Sequence, residues 1–212
     1  MITVSQEQKI NSQWQLLKEE VKNCTKCSIR QQCTQTVFGA GYRGARIFVL
    51  GEAPGAEEDL IGKPFIGRAG QLLRRWLIYD LNFPPNDLFI TNILKCRPPN
   101  NRDPFAVEKV NCMGYLTRQI LLSQPSYILC IGRIAANTIL HTNLAAKDLV
   151  GKWFTYIQGN LSVPLFTIYH PAFILRPNGQ PYEKFTLDSL AEFKEIVYSR
   201  KLLPLVTNTT RI

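Results

Sequence analysis

"RIFVLGEAPGAEEDLIGKPFIGRAG" (residues 46–70) holds the transition on which the fold turns. The apolar run 46–50 stops at Gly51, and the chain then breaks its regularity with Pro54, Pro64 and the glycines Gly51, Gly55, Gly62, Gly67 and Gly70. A short continuous apolar run bounded by Gly and Pro reads as a strand buried on both faces. The loop behind it is shaped to hold something, because glycine permits positive φ and close approach of backbone to a ligand. Helical periodicity resumes with "QLLRRWL" beyond Gly70, so the N–H groups at that helix start can meet a phosphate or a base carbonyl.

Three further runs have the same character: "LFITNIL" (88–94), "YILCIG" (127–132) and "PLFTIY" (164–169). Helical patterns separate or flank them over 6–23, 69–81, 104–123, 133–141 and 183–200. Strands alternating with helices predict right-handed crossovers and an α/β, three-layer α/β/α fold around a central four-stranded parallel sheet. Ligands of such folds sit beyond the carboxyl ends of the strands. That places three stretches on one rim: 51–70, "TNILKCRPPNNRDP" (91–104) and "HPAFILRP" (170–177). Residues 1–212 read as a single domain, with a helix over about 1–23 in front and a loosely ordered tail over about 201–212.

The 25 Lys and Arg against 16 Asp and Glu give a net charge of +9, which favours a polyanionic partner, nucleic acid above all. No apolar run approaches the ~20 residues of a membrane helix, and "MITVSQEQKI" lacks the apolar core of a signal peptide. A cytoplasmic protein without a membrane partner is expected, and its thiols stay reduced. Six cysteines in that setting suggest metal, catalysis or burial before disulfides. Cys24 and Cys27 form C-x2-C, and Cys96 and Cys112 form C-x15-C. Four thiolates in two local pairs suit tetrahedral zinc or a [4Fe–4S] cluster, with Cys33 as a competing ligand. Unconnected thiols are the plainer alternative. Cys130, inside an apolar run, reads as core, and His141 as a helix end.

With "GEAPGAEEDLIGKPFIGRAGQLL", "TNILKCRPPNNRDP" and "HPAFILR" in this order, the chain from about Cys24 to the final helix closely resembles the family 4 uracil-DNA glycosylases. These are the iron–sulfur members of their superfamily. The resemblance implies the glycosylase fold, a [4Fe–4S] cluster on Cys24, Cys27, Cys96 and Cys112, and uracil-containing DNA as substrate. It implies a monofunctional enzyme that flips deoxyuridine out of the stack, hydrolyses its N-glycosidic bond and leaves an abasic site. A monomer is expected; partners such as a sliding clamp or polymerase do not follow from the residues.

Base expulsion builds cationic character on the sugar and anionic character on the uracil, which assigns roles within the resemblance. Phe65 is the stacking platform, held by Pro64, where an aromatic contributes about 1–3 kcal/mol per base. Asn92 offers an acceptor and a donor to the uracil edge. His170 donates to the uracil oxygen where negative charge gathers, and the sequence leaves its protonation form open. Glu52 orients a water or faces the cationic sugar, and Gly51 and Ala53 complete the base pocket. Ile174 is the candidate wedge for the vacated stack, Arg176 a phosphate anchor, and Lys95, Arg97 and Arg102 further positive charge on the rim. Glu57, Glu58 and Asp59 order the loop or face solvent. The plainer alternatives are a core phenylalanine, an asparagine capping a strand end, a structural histidine and solvated charges. Val150 stands where many relatives carry Arg before Gly-Lys, which puts one phosphate or loop contact in doubt. Two rival functions remain at this point: a non-catalytic, metal-stapled nucleic-acid-binding module, and a glycosylase for another damaged base.

Overall fold

Four parallel strands form where the four apolar runs stand. A computed structural model describes residues 4–199, so Arg200 and the tail expected over 201–212 lie outside the described residues. In chain order the strands are β1 (Ala40–Gly41), β2 (Ile47–Gly51), β3 (Leu88–Asn92), β4 (Tyr127–Ile131), β5 (Trp153–Gln158) and β6 (Leu161–Ile168). The sheet order is β1-β3-β2-β4-β6-β5. Its centre, β3-β2-β4-β6, is parallel as expected, with Gly51 paired to Asn92 and Leu50 to both Thr91 and Cys130.

Two antiparallel edge strands enlarge the expected sheet from four strands to six. β1 covers the outer edge of β3 with only two residues, too few to leave a periodic signal. β5 pairs along β6 from Trp153↔Phe166 to Gln158↔Leu161. Its turn is Gly159-Asn160, with Gly159 at φ 57°, a dipeptide that marks a two-residue hairpin. β6 therefore begins at Leu161 rather than at Pro164, and Pro164 pairs only with Thr155 of β5.

Alternate residues of the central strands feed two separate cores, which explains why the runs are apolar throughout. Phe48, Leu50, Ile128 and Cys130 face one layer; Ile47, Val49, Leu129 and Ile131 face the other. The first layer is built by α1 (Val4–Lys22), α4 (Ala106–Ser123) and α5 (Arg133–Leu140), through side chains such as Leu17, Leu116 and Ile139. The second holds α3 (Arg68–Arg74) and α8 (Glu183–Tyr198), through Leu73 and Phe193. The single helix expected over 69–81 is α3 followed by a π-helical stretch, Arg75–Asp80, which buries Trp76 and Leu77. Short helices α2 (Ala56–Ile61), α6 (Ala146–Leu149) and α7 (Pro171–Ile174) complete the chain.

Candidate active site

Each parallel strand delivers a side chain or turn to one cleft at the carboxyl edge of the sheet. β2 ends at Gly51 and leads into Glu52, β3 ends at Asn92, β4 leads into Gly132, and β6 leads toward His170. The cleft has a volume of about 670 Å³, and Glu52, Ala53, Phe65, Asn92, His170 and Arg176 are among its lining. The sequence-predicted base-pocket residues are thus brought together, with Gly51 beneath them.

The loop that carries Phe65 is held by a carboxylate. Glu58, on α2, is buried and accepts from the N–H groups of Gly55 (3.1 Å), Ile66 (2.8 Å) and Gly67 (2.9 Å). Asp59 beside it is also buried and accepts from Thr34 and Gln35 N–H, whereas Glu57 faces solvent. Phe65 itself takes the left-handed conformation, φ 52°, which is uncommon for a bulky residue and marks imposed geometry. Of the five glycines of the stretch, only Gly62 has positive φ. Gly51 and Gly70 serve close approach instead. A Cβ on Gly70 would stand 2.0 Å from the Phe65 carbonyl carbon, and one on Gly51 would stand 2.3 Å from Asn92 Oδ1 and 2.5 Å from Phe65 Cζ. The asparagine and the aromatic ring therefore converge over a bare backbone.

Asn92 Oδ1 is buried and has no hydrogen-bond partner. A buried polar atom without a partner costs about 1–3 kcal/mol, so its persistence at the floor of a cleft marks a group waiting for a ligand donor. Across the cleft, His170 has its ring centroid 6.2 Å from that of Phe65. Burial and, next, the Arg176 guanidinium push its pKa down to about 4, so the imidazole is neutral at physiological pH. Its Nδ1 accepts from Ala172 N–H at 3.1 Å, which leaves the proton on Nε2. Burial and this hydrogen bond favour the neutral form that the sequence left open. Burial pushes the Glu52 carboxyl the other way, up to about 7, with Asp103 adding to the rise and Lys109 and Arg133 opposing it.

The rim differs from expectation in three places. Ile174 is buried in the second core, because the single turn of α7 rotates it inward; Leu175, the next residue, is 39% exposed. The wedge expectation for Ile174 is therefore corrected. Lys95 adds no charge to the surface, since it is only 1% exposed. Burial pushes its ammonium down to about 7. Arg102 lines the cleft, but a bidentate pair with Glu108 (2.6 and 2.9 Å) neutralises it. Arg176 is exposed at the cleft as expected. Val150 is buried, with no place on the rim. Sequence reasoning missed Asp103 and Arg133, which act on Glu52, and Tyr169 and Phe173, which line the cleft. Asp103 and Phe173 lie inside quoted motifs and Tyr169 directly precedes one, so their place in the motifs was the available signal.

Cys96 and Cys112 are buried in the first core, and Cys24, Cys27 and Cys33 pack against it. The thiols share one neighbourhood: Cys33, Cys112 and Cys27 all act on Cys96, and Cys27 and Cys24 on Cys112. Burial pushes the thiols of Cys27, Cys96 and Cys112 up, and a bound metal would reverse this. An all-sulfur donor set suits zinc or iron–sulfur. By its chemistry the donor set fits either centre. Cys130 is core, as expected.

The family model of the Uracil DNA glycosylase superfamily matches residues 38–196. The chain is 41% identical over 183 residues to a type-4 uracil-DNA glycosylase of Archaeoglobus fulgidus, covering 84% of this chain and 88% of that protein. A type-4 uracil-DNA glycosylase of Saccharolobus solfataricus is 37% identical over 191 residues, 88% of each chain. One from Sulfurisphaera tokodaii is 41% identical over 167 residues, 76% of each.

Proposed function

The chain belongs to the uracil-DNA glycosylase superfamily, and we propose that it is a DNA-repair enzyme that hydrolyses the N-glycosidic bond of deoxyuridine in DNA. The observation that carries this reading is the orphaned Asn92 Oδ1, which meets the Phe65 ring over Gly51 in a cleft that a neutral imidazole also lines. Uracil supplies what is missing: an N–H for Oδ1, a carbonyl for the Asn92 amide N–H, and a second carbonyl for His170 Nε2–H. Cytosine lacks that ring N–H and leaves Oδ1 unsatisfied, and discrimination of this kind is steep.

The flipped nucleotide costs a few kcal/mol to unstack, and stacking on Phe65 offsets part of it. As the bond to the sugar lengthens, negative charge gathers on the uracil oxygen that faces His170. A fixed donor in a dry site typically contributes ~2.7–4 kcal/mol there. Ionised Glu52 orients the attacking water and offsets the positive charge on the sugar. Leu175, exposed beside the cleft, fills the gap left in the stack, and Arg176 holds a phosphate. Cys24, Cys27, Cys96 and Cys112 would hold a [4Fe–4S] cluster, with Cys33 alongside, as a structural staple between the first helix and the 96–104 loop. The enzyme works as a cytoplasmic monomer; among the described residues no helix is long and apolar enough to cross a membrane.

The test is release of uracil from a synthetic oligonucleotide, followed by alkaline cleavage at the abasic site. Cleavage is expected with the purified protein and should fall by about 10²–10³-fold in Asn92→Ala, the usual loss for one such polar group. Binding of the oligonucleotide without cleavage would instead identify a non-catalytic module.

A further inference from the structure

Lys95 is the least explained charge in the molecule. It is 1% exposed and three residues beyond the end of β3. Its side chain folds back over that strand end, with Nζ donating to Asn92 carbonyl oxygen at 2.7 Å and to Thr91 Oγ1 at 2.8 Å. Thr91 Oγ1 in turn donates to Phe38 carbonyl oxygen at 2.8 Å, which also accepts from Gln119 Nε2 at 2.9 Å. The Lys95 carbonyl accepts from Val37 N–H at 2.7 Å, so its backbone is anchored as well. Strand β3 ends at Asn92, and the Asn92 carbonyl is fixed by this ammonium.

Burying an ammonium is costly, and removing it would leave the buried Asn92 carbonyl without this donor. The lysine therefore holds the strand end, and its location gives that a consequence for the site. The carbonyl it holds belongs to the residue whose side-chain oxygen is left unpartnered over Gly51 and Phe65. Fixing that main chain fixes the direction of the Cα–Cβ bond, and so the point from which the amide reaches toward the cleft.

We propose that Lys95 is a positioning residue for uracil excision: its hydrogen bond to the Asn92 main chain fixes the strand end from which the Asn92 amide reaches the base. The proposal rests on the glycosylase reading above. Lys95 touches neither base nor sugar and acts only through Asn92. A displacement of about 1 Å at such a group costs on the order of 100-fold in rate.

The experiment compares full-length wild type with Lys95→Met, which keeps the volume and loses the donors, and Lys95→Gln, which keeps an amide donor. The readouts are kcat and KM on a uracil-containing oligonucleotide, melting temperature, and the shift in melting temperature produced by free uracil. For Lys95→Met the expected result is a folded protein with a modestly lowered melting temperature, KM for DNA within about threefold and kcat lower by about 100-fold. Its uracil-induced shift should be lost, and Lys95→Gln should recover part of kcat and of that shift. Wild-type kcat in Lys95→Met overturns the proposal, as does a kcat loss that leaves the uracil-induced shift intact. If Lys95→Met does not fold, Lys95→Gln decides: reduced kcat with a reduced uracil shift supports the proposal, and wild-type values of both overturn it. Failure of the wild type to release uracil would refute the glycosylase reading separately, and the comparison of uracil-induced shifts would still report on Lys95 and Asn92.

Discussion

Glu52 and His170 face one cleft, and burial drives both toward neutrality: the carboxyl up to about 7, the imidazole down to about 4. In the proposed mechanism excision needs the carboxylate and the neutral ring together. The rate should therefore rise with pH through a single ionisation near 7 belonging to Glu52, with His170 limiting only toward pH 4. Glu52→Gln should lower the rate and remove that rise; a rise that persists in the variant would assign it to another group. Stability carries the opposite sign. The folded protein holds Glu52 protonated above its ordinary value of 4.5, so the unfolded chain releases this proton first and stability declines as pH climbs from 4.5 through 7. At 1.36 kcal/mol per unit the full effect is at most about 3 kcal/mol. Glu52→Gln should thus melt higher than wild type at pH 8 and close to it at pH 4. For His170, whose folded value lies below the ordinary 6.5, stability is instead lost as pH falls from 6.5 toward 4.

The decisive loop carries one short helix, α2, and one side chain of that helix organises the rest. Glu58 gathers three backbone N–H groups from both ends of the 55–67 segment, and so holds Phe65 in its left-handed conformation. Glu58→Gln keeps the shape but loses charge and one acceptor, which should cost about 1–3 kcal/mol in urea denaturation and raise KM and lower kcat as the platform loosens. Unchanged stability and excision would show that the loop is held by Gly70 and Asp59 instead. Nothing in "AEED" separates the solvated Glu57 from the buried Glu58 and Asp59, since adjacent acidic residues differ only in the direction the helix gives them. The same limit hid the inward turn of Ile174 and the burial of Lys95, both fixed by what packs around them rather than by neighbours in sequence. The four central strands were legible because two buried faces demand uninterrupted apolar runs. The edge strands were not: β1 is two residues long, and the Gly159-Asn160 hairpin signal sits in a short polar gap. Asn92, His170, Phe65 and Glu52 were legible as a set through the resemblance that their motifs carry, and each motif closes or follows one of the readable strands.

At the scale of the whole molecule, the cleft and the cysteines lie at two ends of the same short connection: Asn92 closes β3, and Cys96 follows four residues later. Cys24 and Cys27 follow α1 directly, whose Trp14 is buried with its ring 5.1 Å from those of Phe38 and Phe89. A staple across these cysteines would therefore hold α1 onto the sheet as well as fix the 96–104 loop. Trp14 is a reporter confined to that face, because Trp76 and Trp153 belong to the other core. Purified protein should carry iron with broad visible absorption; a colourless zinc protein would remove the cluster reading. Stripping the iron under anaerobic chelation should expose α1 and shift tryptophan emission to longer wavelength, with excision falling in parallel. Trp14→Phe should abolish most of that shift while leaving iron content unchanged. An emission spectrum indifferent to iron loss, in protein that still excises uracil, would show that the α1 face stands on its apolar packing alone. The two cores make the outcome readable: burial of Leu17 and Val21 against Tyr115 and Leu116 favours docking without metal, while a short cysteine-bearing connection after α1 has little apolar surface of its own to keep it in place.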